Sequence, residues 1–146
     1  MLVPITERRE QISELFKAKD LNSLIGLGIE RVGNEEAHDC AAYVLERLGF
    51  VSNEKTSVVL NKLPNSDAPP RGSGIIFYGF QEKQFNIRHY GWYDSGKVFS
   101  KWGHWFVLKH DIADVPDWYG NAAKFREDDT EVRAQLQLAL QGINNE

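Results

Sequence analysis

"GIIFYGFQEKQFNIRHYGWYDSGKVFSKW", residues 74–102, decides the fold. It opens with a short apolar run, Gly74–Phe80, that reads as a strand. After a polar link, Phe85–Tyr93 is aromatic and partly alternating, a second strand. Asp94–Gly96 has turn chemistry, and Lys97–Trp102 returns as a third strand. Downstream, His104–His110 ("HWFVLKH") reads as a fourth strand and Ala122–Glu127 ("AAKFRE") as a last edge strand, with the irregular "ADVPDWYG" between them. The whole is an antiparallel meander.

Upstream the texture is helical. Residues 6–17 place Ile12, Leu15 and Phe16 at helical spacing behind a capping Thr6. A short helix is expected over 21–32, where Gly26 and Gly28 weaken it. Residues 40–48 repeat apolar positions at Ala41, Val44, Leu45 and Leu48, with Asp39 as cap and Gly49 as terminator. Residues 53–63 form another helix stopped by Pro64, residues 65–74 are loop by composition, and 128–143 form a C-terminal helix capped by an Asp or Thr. Helices first and a meander after predict an α+β fold with helices over one face of a small antiparallel sheet.

Bulk composition bounds the function. The chain has 146 residues, 42% hydrophobic and 12% aromatic, which suits one domain with a real core. A net charge of −4 with interspersed signs gives no electrostatic footprint for nucleic acid or an anionic membrane. "MLVPITERRE" has no signal-peptide layout and no apolar run spans a bilayer, so a soluble, cytoplasmic protein is expected, export by a signal-less route staying open. One cysteine excludes an intramolecular disulfide and any zinc site of several thiolates. No cofactor is called for, no metal site is expected, and composition says nothing of oligomeric state.

That cysteine, Cys40, has two readings. Free cysteine is commonly a small buried hydrophobe. In a helix's first turn, behind the polar "NEEAHD", it would instead see the positive end of the macrodipole, which favours a thiolate nucleophile reactive toward iodoacetamide at neutral pH. A nucleophile needs a base. His38 lies too near in sequence, because neighbouring side chains on one turn diverge. His89 sits on a strand, where rigidity favours it over His104 and His110. His104 and His110 with Asp111 or Asp114 have no metal-ligand signature. Trp92, Trp102 and Tyr90, like Trp105, Trp118 and Tyr119, read either as core or as the floor of a peptide or sugar cleft.

A helix opening on "DC", a glycine before "GIIFYG", and then "RHYGWYDSGKVFSKWG" is similar to the NlpC-type papain-like cysteine hydrolases, over about residues 35–126. The run "SKWG…H…VPDWYG" resembles a subgroup of these domains whose substrates are not established. The resemblance implies a papain-like core at 34–126, with 1–33 as an N-terminal helical extension and 127–146 as a C-terminal helix. It implies a bacterial cysteine peptidase or amidase acting on an amide or isopeptide bond, for which peptidoglycan is one substrate. Cys40 would be nucleophile, His89 base and Ser100 the third residue, with His110 in reserve and Trp92, Trp102 and Tyr90 toward substrate. Ala41 stands where the cell-wall enzymes carry a small hydroxylic residue. The alternatives are a non-catalytic module binding a peptide, glycan or protein, and an acyltransferase or deamidase.

Overall fold

The structure is a computed structural model that describes residues 1–33 and 37–142. Part of the polar lead-in to Cys40, residues 34–36, and the final turn expected of the C-terminal helix, residues 143–146, lie outside the described residues.

The Thr6 side chain accepts the Arg9 N–H and starts α1 (Glu7–Lys17). Asp20 caps α2 (Leu21–Gly26) in the same way. This helix ends early: Gly28 takes a φ of +92°, and the chain leaves as strand β1 (Glu30–Gly33), where the sequence predicted helix to residue 32. Asp39 accepts the Ala42 N–H at 2.9 Å and opens α3 (Cys40–Arg47). Asn53 and Thr56 form a reciprocal capping box before α4 (Glu54–Lys62). Then come β2 (Ser73–Gln81), β3 (Phe85–Asp94), β4 (Lys97–Lys101), β5 (Val107–His110), a 3₁₀ turn (Asp117–Tyr119), β6 (Ala122–Glu127) and α5 (Thr130–Gly142). Ser95 and Gly96, with φ of +49° and +91°, make the two-residue turn that the right-handed twist of a hairpin selects.

The six strands form one antiparallel sheet in the order β1-β5-β4-β3-β2-β6. β2 to β5 are the expected meander, β6 returns to the free side of β2, and β1 closes on β5. The sequence predicted helices over one face, but both faces are covered. β2 is apolar at successive positions, so Ile75 and Phe77 point to one side while Ile76 and Tyr78 point to the other. Val44, Leu45, Leu60 and Leu136, from α3, α4 and α5, pack on the first side. Ile12, Phe16 and Leu24, from α1 and α2, pack on the second with Tyr119. Residues 1–33 therefore supply an edge strand and a wall of the core.

One buried cation ties that second layer together. Arg9 is 1% exposed and donates to the carbonyls of Val3, Val115, Pro116 and Gly120 at 2.7–2.9 Å. Ser13 Oγ accepts the Asp117 N–H at 2.8 Å. Gly120, at φ +119°, presses on β2 so closely that an added Cβ would lie 2.0 Å from the Gly79 oxygen. The 3₁₀ turn is thus held by α1 on one side and by the sheet on the other.

Candidate active site

Cys40 is the first residue of α3, and its thiol is half-buried. β4 pairs with β3 only from Trp92↔Phe99 to Asp94↔Lys97; Ser100 and Lys101 pair with β5 alone. Beyond Trp92 the two strands part, and the start of α3 meets the exposed backbone of β3. There the Tyr90 backbone N–H is directed at the sulfur, as are the N–H groups of Ala41 and of Cys40 itself. Burial nevertheless pushes the thiol above its ordinary range, and the Asp39 carboxylate adds to the push. The helix start was expected to lower it. A helix terminus is worth about 0.3–1 kcal/mol, and losing solvent around a charge costs more, so burial decides the sign. The resting state is a neutral thiol.

His89 is the residue before Tyr90. Its ring lies on the opposite face of the sheet from α3, in the layer under α1, and is 1% exposed. It stacks on Tyr119 with ring centroids 3.9 Å apart and 5° between planes, and Tyr78 lies 5.8 Å away. Burial, and then His110, hold its pKa well below the usual histidine value. Burial, and then the charge of Cys40, raise the phenol of Tyr119. Cys40, Tyr90, His89 and Tyr119 therefore share one locality, at the place where β4 leaves β3. Cys40 and His89 make no hydrogen bond to each other.

The expected third residue does not take its place. Ser100 is fully buried; it donates to His110 Nε2 at 2.9 Å and accepts from Trp102 Nε1 at 3.1 Å. His110 Nδ1 donates to the Asp111 carbonyl at 2.7 Å, which fixes the tautomer. Neither Ser100 nor His110 bonds His89, whose Nε2 is buried without a hydrogen-bond partner. Ser100 and His110 form a closed network of their own beside the histidine.

The aromatic floor also divides. Trp102 is fully buried and Trp92 5% exposed, so both serve as core and offer no surface to a ligand. Tyr90 stays half-buried and donates to Asn61 Oδ1 at 3.0 Å on α4. Two residues that the sequence reading set aside come to the rim of the site. His104 Nδ1 donates to the His38 carbonyl at 2.8 Å, and the two rings lie 4.8 Å apart, just before Asp39. Nothing in the spacing of 38 and 104 signals that meeting. Tyr119, one of the aromatic residues of the irregular loop, stacks on His89 from the 3₁₀ turn, a pairing that no strand or helix period signals.

Comparison of the chain with known protein families, with curated proteins and with solved structures gives no match. Among the described residues no group of three or more His, Cys, Asp or Glu could hold a metal ion, and no helix is long and apolar enough to cross a membrane. A groove of about 530 Å³ runs along the outer edge of β6, lined by Pro64, Pro69, Phe125 and Arg126 among others, and includes none of the candidate residues.

Proposed function

We propose that this chain is a cysteine hydrolase that cleaves an amide or isopeptide bond with Cys40 and His89, on a papain-like arrangement of helix start and strand. One observation carries the reading: a cysteine at a helix N-terminus meets the exposed backbone of a strand immediately beside a buried histidine. A thiol at a helix start, a nearby imidazole that can act as base and converging N–H groups are the components of acyl transfer.

In this reading the thiol proton passes to a His89 nitrogen as sulfur attacks the carbonyl carbon. Nε2 is sealed away without a partner, which leaves Nδ1 as the base atom. A C–S bond forms and the carbonyl π pair moves onto oxygen, which in this reading the Cys40 and Ala41 N–H groups, freed from the sulfur, would stabilise. Collapse breaks the C–N bond, and the imidazolium returns its proton to the leaving amine. Water then hydrolyses the thioester by the same steps, with His89 as base. Because both groups rest neutral, the proton moves during attack. Peptide, isopeptide and peptidoglycan fragments are the substrate class to screen.

The neutral resting pair and the unpartnered His89 nitrogen favour a second reading, a binding module that keeps the scaffold without the turnover. The test is the rate of iodoacetamide labelling of Cys40 from about pH 6 to about pH 10, for the wild type and His89→Ala. It is run beside product analysis on muropeptides and an isopeptide-linked substrate, with Cys40→Ala as blank. Hydrolysis that needs Cys40, and a labelling profile that His89→Ala changes, support the enzyme. Labelling only on unfolding, with no turnover above the Cys40→Ala blank, establishes the module.

A further inference from the structure

The geometry points to Tyr119 as the positioning residue of His89, filling by its ring face the role that a hydrogen-bonding third residue fills in a triad. This rests on the Cys40–His89 reading.

A histidine that takes a proton from a nucleophile must be held in one orientation, and the cation it becomes must be stabilised. The buried nitrogen of His89 has no hydrogen-bond partner, and both neighbouring polar groups, Ser100 and His110, are committed to each other and to Trp102 and Asp111. What touches the ring instead is Tyr119, nearly parallel at 3.9 Å. Neutral aromatic rings prefer offset or edge-on contacts with centroids about 4.5–7 Å apart, so this parallel contact is closer than two neutral rings favour. An imidazolium reverses the preference, because its positive charge lies over the negative face of the phenol ring. The contact is therefore worth more once His89 has been protonated than before. Stabilisation confined to the reacting state raises rate and not merely affinity.

Such a partner must be rigid, and the turn that carries Tyr119 is pinned on all sides. Arg9 holds the carbonyls on either side of it, at Pro116 and Gly120, Ser13 holds the Asp117 N–H, and the Asn121 N–H donates to Gly79 at 3.0 Å. The pinned turn thus holds the Tyr119 ring over His89. Besides Tyr119, the titratable groups facing His89 are Tyr78 and His110; the Cys40 charge is felt at Tyr119.

The experiment separates ring from hydroxyl and position from fold. In the wild type, carbon-bound imidazole protons of His89 should show an upfield ring-current shift by NMR; their absence overturns the inference without any variant. Tyr119→Phe keeps the ring and should retain the wild-type rate and pH profile of Cys40 labelling. Tyr119→Leu should lower the His89-dependent part of that rate by about ten- to thirty-fold and broaden the His89 resonances. Equal losses in Phe and Leu variants overturn the ring's role. A Tyr119→Leu profile identical to wild type, while His89→Ala alters it, overturns this inference and leaves the Cys40–His89 pair standing. If His89→Ala changes nothing, it is the hydrolase reading that fails.

Discussion

Replacing Arg9 by Met keeps an unbranched side chain of similar length and removes four hydrogen bonds at once. The Pro116 carbonyl retains the Tyr119 N–H as a donor. The carbonyls of Val3, Val115 and Gly120 keep no other described donor. Leaving a buried acceptor unpaired costs about 1–3 kcal/mol each, so the raw cost is roughly 3–9 kcal/mol. Against that stands the recovered desolvation of a guanidinium, whose pKa burial already lowers, and whatever water reaches the loosened turn. Relaxation and water entry recover part of that cost, and about 3–5 kcal/mol is the expected loss for Arg9→Met. A domain of this size has about 5–15 kcal/mol in total, so the variant should fold but unfold at a much lower denaturant concentration. Urea titration followed by tryptophan fluorescence and circular dichroism reads it, with the slope unchanged if the transition stays two-state. A loss below about 1 kcal/mol would refute the claim that Arg9 holds the second layer. The same variant should slow Cys40 labelling in the native state, because the turn it releases carries Tyr119.

Gly120→Ala should be more severe and should fail to accumulate as folded protein, since its Cβ meets backbone at 2.0 Å and its φ is +119°; expression and solubility against Gly96→Ala, which has open space around it, give the comparison. Acid should destabilise the fold early. His110 is held at about 4 by burial against a value of 6.5 when exposed, so between those limits only the unfolded chain takes the proton; stability is full above pH 6.5 and falls by roughly 3 kcal/mol on reaching pH 4. Denaturant midpoints across that range check it, and a flat profile would contradict the buried neutral histidine. Asp39→Asn keeps an N-cap but removes a charge that raises the Cys40 pKa, so iodoacetamide labelling at neutral pH should be faster than in the wild type, whereas a slower rate would show that the carboxylate acts only through the helix.

Much of this was legible in the chain. Caps at Thr6 and Asp39 announce their helices because a side-chain oxygen three residues before a free N–H is a local event. The hairpin at Asp94–Lys97 is equally local. β1 was missed because its four residues carry no alternation, and its place is decided by β5 rather than by its own sequence. The two-sided cover is present in the unbroken apolar run Ile75–Tyr78, while the order of the elements points to helices over one face alone. In the site, Cys40 at a helix start and His89 on a strand could be read directly. Their environment could not. The sign of the thiol shift depends on burial by residues far along the chain, and Ser100 lost its assigned role to His110, ten positions away across a strand pair. Tyr119 is a tertiary partner with no periodic signature.

The clamp between Arg9 and Gly120 joins positions 111 apart. Such a contact closes late, because the loop entropy it must overcome is recovered only when the intervening sheet exists. As the chain leaves the ribosome, Cys40 emerges long before the turn that stacks on His89. Until that turn arrives the sulfur sits in an open, unsealed chain, where no neighbour suppresses ionisation and any electrophile can reach it. The newborn chain thus carries its one cysteine in the open until the sheet and its helices close around it.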